Sequence, residues 1–259
     1  MQATKSKLIT RILMIVFFIL YYAPILSMVI FSFNSERSLT TWYGFSIVWY
    51  YELFTNSSIL SVVLWTVVIA ACSTIISVII ATLASIALCK TKKTWRKAIL
   101  QINNFPITNP DIVTALGLLL LFVSFGVSRG YGTMLIAHIS FCTPYAIVNI
   151  YPKIKSLDEN LVEAAMDLGA KPIQAIRKAI IPQIKSTIYA AAAICFTMSF
   201  DDFVISYFTG GTDQNISTLI YSQLKKTNPT FNALSTIIIM LIVVKIVLDK
   251  LRESKKGVK

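Results

Sequence analysis

A chain of 259 residues in which 56% are hydrophobic and only 14% charged, with a mean hydropathy of +0.70, falls outside the soluble globular class. Its formal charge of +12 does not mark a nucleic-acid binder, because the Lys and Arg residues cluster between long apolar runs and form no single basic face. The length suits one membrane domain and is too short for that plus a nucleotide-binding domain of ordinary size.

Residues 12–33 form the first apolar run, preceded by Lys5, Lys7 and Arg11, and are long enough to cross a hydrocarbon core, which takes about 20 residues. A cleaved leader would have a shorter apolar region ending in small residues, so this run is expected to stay as a helix. Residues 34–58 are polar and aromatic, with Trp42, Tyr43, Trp49, Tyr50 and Tyr51 placed as an interfacial belt on a surface-hugging loop. Residues 59–88 carry no charge and make the second span. The run KTKKTWRK, Lys90 to Lys97, then supplies five basic residues.

Residues 98–128 make the third span, with a break expected near 103–111, where two prolines, three asparagines and Asp111 interrupt the run. Irregular backbone at membrane depth is tolerated where protein or a water-filled cavity surrounds it, so the break is either the lining of a pathway or a proline kink with a locally satisfied Asp111. Residues 131–151 follow as the fourth span. They contain His138, the single histidine, which reads as an interhelical hydrogen-bonding residue without a catalytic role. Residues 186–209 give the fifth span and carry Asp201 and Asp202. A loop with Gly210, Gly211, Asp213, Lys225 and Lys226 leads to the sixth span, 231–248, and a basic tail.

Six spans with both termini cytoplasmic place 20 Lys and Arg residues inside and only Arg37, Arg129, Lys225 and Lys226 outside. That asymmetry is what the positive-inside rule demands. It also places 156–182, the one long amphipathic stretch, on the cytoplasmic side. Ser156 and Glu159 have the spacing of a capping box, Gly169 suits a left-handed helix end, and Pro172 suits the first turn of a second helix. On the first of these helices Leu157, Leu161, Ala164, Ala165 and Leu168 recur at helical spacing and form a small, smooth face. It serves either a partner's surface or packing within its own domain.

No catalytic set emerges: there is no GxxxxGK[ST] loop, no HExxH, and one histidine cannot build a histidine metal site. The cysteines Cys72, Cys89, Cys142 and Cys195 lack metal-ligand spacing and read as packing residues. No cofactor and no metal is expected, and energy for pumping must come from another chain. The costly residues are the carboxylates, since an ionised Asp at the centre of a span costs roughly 2.5–3.5 kcal/mol. A cationic substrate would compensate, with each pair at ~4 Å and an effective dielectric near ~20 contributing about 4 kcal/mol before desolvation. Otherwise the Asp201–Asp202 pair faces outer water or one member is held by a neighbouring helix.

Glu163-Ala164-Ala165, then Gly169 and Pro182, resembles the EAA signature of the inner-membrane permease subunits of binding-protein-dependent ABC importers. Ala179 and Ile181 depart from the usual Ile and Leu before the proline. The stretches NPDIVTALGLLLLF, AHISFCTPYAIV, SFDDFVISYFTGG and TFNALSTI extend the resemblance over nearly the whole chain, towards the second permease of spermidine/putrescine importers. The resemblance implies an all-α integral membrane protein of the ABC type I importer (MetI-like) permease fold, with residues 1–259 as a single transmembrane permease domain. It implies a heterodimer with a sister permease, two ATP-binding subunits and an extracellular substrate-binding protein or fused equivalent. ATPase coupling would fall to Glu163, Ala164, Ala165, Asp167, Leu168, Gly169 and Pro182, and the substrate pathway to Asp111, Asp201 and Asp202. Import of iron, phosphonate or another small solute, or an ATP-independent channel or secondary transporter, are the alternatives.

Overall fold

The computed structural model describes residues 2–158, 160–223 and 228–256. These are mostly helical, with a single isolated β-bridge between Asn34 and Phe45 among the described residues. The helices are α1 (Gln2–Phe31), α2 (Val48–Thr55), α3 (Ser57–Lys90), α4 (Lys93–Thr108), α5 (Asp111–Ser124), α6 (Tyr131–Lys155), α7 (Leu161–Asp167), α8 (Pro172–Gln183), α9 (Lys185–Phe200), α10 (Val204–Thr209), α11 (Ile216–Gln223) and α12 (Thr230–Lys256). Four described helices are long and apolar enough to cross a membrane, within α1, α3, α6 and α12, and the bent pairs α4–α5 and α8–α9 raise the number to six if each is one span. The loop residues Lys225 and Lys226 lie outside the described residues.

The chain forms two compact units. The first comprises Met1–Leu60 with Ile220–Lys259. Here α12 packs on α1 and α2. The connection after α1 is organised by Asn34, fully buried, whose amide donates to the carbonyls of Ser38 (3.1 Å) and Thr41 (2.9 Å) while its Oδ1 accepts from the Tyr43 N–H (2.8 Å). The Asn34 carbonyl in turn accepts from Trp49 Nε1 at 2.6 Å. This corrects the expected aromatic belt. Trp42, Tyr43 and Tyr51 are exposed, but Trp49 is buried because its indole N–H has a buried acceptor to satisfy, and Tyr50 pairs with the Ser32 hydroxyl at 2.7 Å.

The second unit, Ser61–Leu219, is centred on α6, against which α9 packs most extensively. The seam is built from small side chains, with Ala137, Cys142, Ala146, Ala191 and Cys195 all fully buried. Residues of this size let two helices approach where lipid would otherwise compete for their surfaces. The third and fifth apolar runs are not single helices. The break in the third is confined to Asn109–Pro110, where α4 meets α5 at 105°. Pro106 is accommodated inside α4. In the fifth, α9 stops at Phe200 and α10 starts at Val204, with Asp201 and Asp202 between them.

Candidate functional site

The segment 156–182 departs from its expected start. Ser156 retains helical geometry, its N–H bonded to the Pro152 carbonyl and its hydroxyl to the Lys153 carbonyl (2.8 Å), so it closes α6. A residue held that way cannot adopt the extended conformation of an N-cap, and its expected partner Glu159 lies outside the described residues. The turn into α7 is instead made by Asp158, whose Oδ1 accepts from the Asn160 N–H at 2.9 Å.

The end of α7 explains the spacing of Ala165 and Gly169. Gly169 has φ +87°, its N–H donates to Met166 (2.8 Å), and the next N–H, of Ala170, reaches back to Ala165 (3.1 Å). This pair of bonds is a Schellman motif, in which the glycine stands four residues after Ala165, whose carbonyl accepts from the residue that follows the glycine. Both alanines pack on the core. Pro172 then opens α8, and Gln174 Oε1 accepts from the Lys171 N–H at 3.1 Å. A wide turn at Ile176–Ile180 precedes Pro182, which has no N–H to return to the Lys178 carbonyl.

The expected smooth face is divided. Consecutive helical residues point about 100° apart. Val162 is therefore buried and Ala165 turned to the core, while Glu163, Ala164, Asp167 and Gly169 are exposed. Leu168, expected in line with Leu157 and Leu161, is 90% exposed. With Ile173, 80% exposed, it makes an apolar projection on either side of Gly169. Pro182 is exposed as well.

Of the carboxylates, Asp111 is exposed in the first turn of α5, where its charge complements the helix N-terminus. Asp201 is exposed in the break between α9 and α10, preceded by the stacked pair Phe196–Phe200 (5.7 Å) and followed by Phe203–Tyr207 (5.5 Å). An exposed carboxylate at a break between apolar helices is a fit environment for a cation. Asp202 is turned inward, its side chain 10% exposed. It accepts from the Ser206 N–H (2.7 Å), the Ser206 hydroxyl (2.8 Å) and the Ile205 N–H (3.3 Å), and so caps α10.

Asp202 belongs to a buried polar cluster that the apolar runs conceal. His138 Nε2 lies 2.9 Å from Ser206 Oγ and 3.4 Å from Asp202 Oδ2, and His138 Nδ1 lies 2.6 Å from Ser199 Oγ. Ser73 of α3 donates to Ser199 at 2.9 Å, and Asn215 donates to the Asp202 carbonyl (2.5 Å) and to Ser206 (2.8 Å). His138 is thus the interhelical hydrogen-bonding residue expected of it. Ser199, Ser206 and Asn215 escaped sequence reasoning, since isolated Ser and Asn residues in apolar runs are common and their only signal was position near Asp202. Among the described residues no three His, Cys, Asp or Glu side chains group closely enough to hold a metal ion.

Comparison with known proteins completes the picture. The profile of the family described as "Binding-protein-dependent transport system inner membrane component" matches residues 75–253. The spermidine/putrescine transport system permease protein PotC of Haemophilus influenzae is 36% identical over 246 residues, covering 94% of this chain and 96% of the relative. The putrescine transport system permease protein PotI of Escherichia coli K12 is 36% identical over 242 residues, 88% and 84% of the two chains. Among solved structures, a chain of a bacterial ABC transporter that imports the acidic polysaccharide alginate superposes with a TM-score of 0.67 at 18% identity, covering 99% of this chain and 98% of that one. A chain of the MetNI methionine ABC transporter in an inward-facing conformation gives 0.56 at 16% identity, covering 75% and 95%.

Proposed function

The chain belongs to the family of inner membrane components of binding-protein-dependent transport systems, and from that premise we propose that it is the permease subunit of an ATP-driven importer of polyamines, spermidine or putrescine. The observation that carries the substrate class is the near full-length similarity to permeases named for spermidine and putrescine. Exposed carboxylates at two helix breaks, Asp111 and Asp201, support it, because they are the chemistry a polycation would need in an apolar setting. The alginate and methionine transporters share the fold and carry other cargo, so the cargo is a matter of side chains.

As an inner membrane component the protein is a multi-pass protein of the bacterial cell membrane. We place both termini in the cytoplasm on the distribution of Lys and Arg. The permease domain, residues 1–259, then presents 156–182 to the motor side. There Glu163, Ala164, Asp167, Leu168 and Gly169 meet a separate ATP-binding subunit. Ala165 holds the Schellman turn from behind, and Pro182 ends the segment. When the ATP-binding subunits close, the Leu168–Ile173 projection is displaced, and the core packing of Val162 and Ala165 passes the displacement on to the transmembrane helices. The remaining partners are a sister permease completing a heterodimer, a second ATP-binding subunit, and an extracellular binding protein or fused equivalent. Polyamine passes between the two permeases along Asp111 and Asp201, with Asp202 shaping the route from within.

The test is reconstitution of the whole complex in vesicles with ATP and labelled solutes. Accumulation of spermidine or putrescine is expected. ATP-driven accumulation of iron or phosphonate with neither polyamine would overturn the reading.

A further inference from the structure

We propose that His138 is a positioning residue for Asp201: buried between Ser199 of α9 and Ser206 of α10, it ties the two ends of the break together and holds the Asp201 carboxylate on its open side. The proposal deepens the polyamine reading and rests on it for the role of Asp201.

The hydrogen bonds have a fixed direction on the α10 side. A hydroxyl carries a single proton. Ser206 spends its proton on Asp202 Oδ2, so the contact between Ser206 Oγ and His138 Nε2 needs Nε2 as the donor. On the other side Ser199 Oγ lies 2.6 Å from His138 Nδ1 and 2.9 Å from Ser73 Oγ, whose own proton is shared between Ser199 and the Ala70 carbonyl at 3.2 Å. His138 Nε2 therefore carries a proton and donates towards α10, while Nδ1 bonds to α9. The bonded chain links Ser73, Ser199, His138 and Ser206 and ends on the Asp202 carboxylate.

That chain fastens both sides of a three-residue break. Ser199 lies one residue before the end of α9 and Ser206 in the first turn of α10. The main-chain carbonyls of the break are held too, Asp202 by Asn215 and Asp201 by the Ser217 hydroxyl at 3.0 Å. With Asp202 drawn inward by its donors, its neighbour Asp201 is left outward as the exposed member of the pair. His138 lies in the middle of α6, 1% exposed, and is the group that bonds to α9 and α10 at once.

The experiment uses the assembled transporter with its partner subunits. Cys72 and Cys89 are replaced by Ala, Cys142 and Cys195 being fully buried, and Asp201→Cys is labelled with a membrane-impermeant cationic thiol reagent. His138→Phe fills the same space without polar atoms and should change the labelling rate about tenfold, the equivalent of one lost buried hydrogen bond. His138→Gln, which restores an N–H donor of similar reach, should bring the rate back to within about twofold of the parent. In parallel, His138→Phe and Asp201→Asn are combined in an uptake cycle, where the double variant should be no worse than the weaker single one. An unchanged labelling rate in His138→Phe, or losses of uptake that multiply, overturns the positioning role. Where His138→Phe fails to accumulate, Ser199→Ala and Ser206→Ala remove the same bonds one at a time and are held to the same criteria. Normal uptake by Asp201→Asn alone would defeat the cargo route, while the labelling rates still decide whether His138 positions residue 201.

Discussion

The thiols of Cys142 and Cys195 each donate to the other's main-chain carbonyl, at 3.6 and 3.5 Å, across the seam of α6 and α9. Such reciprocity requires the two backbones to lie close, and it makes the cysteines gauges of the seam. Cys142→Leu should lower stability by about 1–3 kcal/mol through overpacking, while Cys142→Ala has a smaller effect. Thermal unfolding of the purified complex in detergent checks both. An unshifted midpoint in Cys142→Leu would mean the seam is looser than the geometry states.

Gly169 is the position where the turn between α7 and α8 depends on a left-handed backbone. A β-branched side chain there costs roughly 1–2 kcal/mol of local strain and dismantles the Schellman turn. Gly169→Val should abolish ATP-driven uptake with the protein still inserted, and Gly169→Asn should retain part of it. Glu163→Lys should give the same loss by reversing charge on the exposed face. Uptake at the parental rate in both Gly169→Val and Glu163→Lys would remove the coupling assignment.

Leu168, 90% exposed, makes little contact within its own chain. Leu168→Asp should leave the melting temperature of the isolated permease within experimental error and weaken association with the ATP-binding subunit by tenfold or more, about 1.4 kcal/mol. Co-purification at graded detergent and salt measures this. A stability loss with intact association would show the side chain to be structural.

The adjacent aspartates should separate cleanly. Asp202→Ala strands the buried N–H and hydroxyl of Ser206, a cost of about 1–3 kcal/mol, and should reduce the yield of folded protein. Asp201→Asn strands nothing buried and should leave yield and melting unchanged while uptake of polyamine falls. Equal melting shifts in the two variants would contradict the inward and outward assignment.

Gly210 sits against the α6 N-terminus, where an added Cβ would lie 2.6 Å from the Asp213 carbonyl and 2.7 Å from that of Ser206, and would collide with the Met134 methyl. Main-chain atoms cannot step aside as a side chain would. Gly210→Ala should therefore destabilise by about 1–3 kcal/mol and loosen the Asp213 cap on the Tyr131 N–H (2.9 Å), measured as a lowered melting temperature.

Much of the architecture was legible in the residues because membrane insertion depends on sums. The apolar runs around α1, α3, α6 and α12 are additive along the chain. The turn at Gly169 was legible for a local reason, since the left-handed conformation excludes most side chains and the Schellman bonds span only a few residues. Where the sequence reading failed, a single residue had two local options. Ser156 could cap either helix, and the need of the last carbonyls of α6 decided.

The tertiary structure alone settled which neighbour faces in. Ala164 and Ala165, Asp201 and Asp202, and Trp49 beside Tyr50 and Tyr51 are chemically near-identical to any pattern that reads one chain segment at a time. Helix phase and core packing choose for the alanines, while polar partners choose for the others, Asn34 for Trp49, and Ser206 with His138 for Asp202. A buried polar group must find its partner, and a partner 64 residues upstream, as His138 is from Asp202, exists for it only once α6, α9 and α10 have packed.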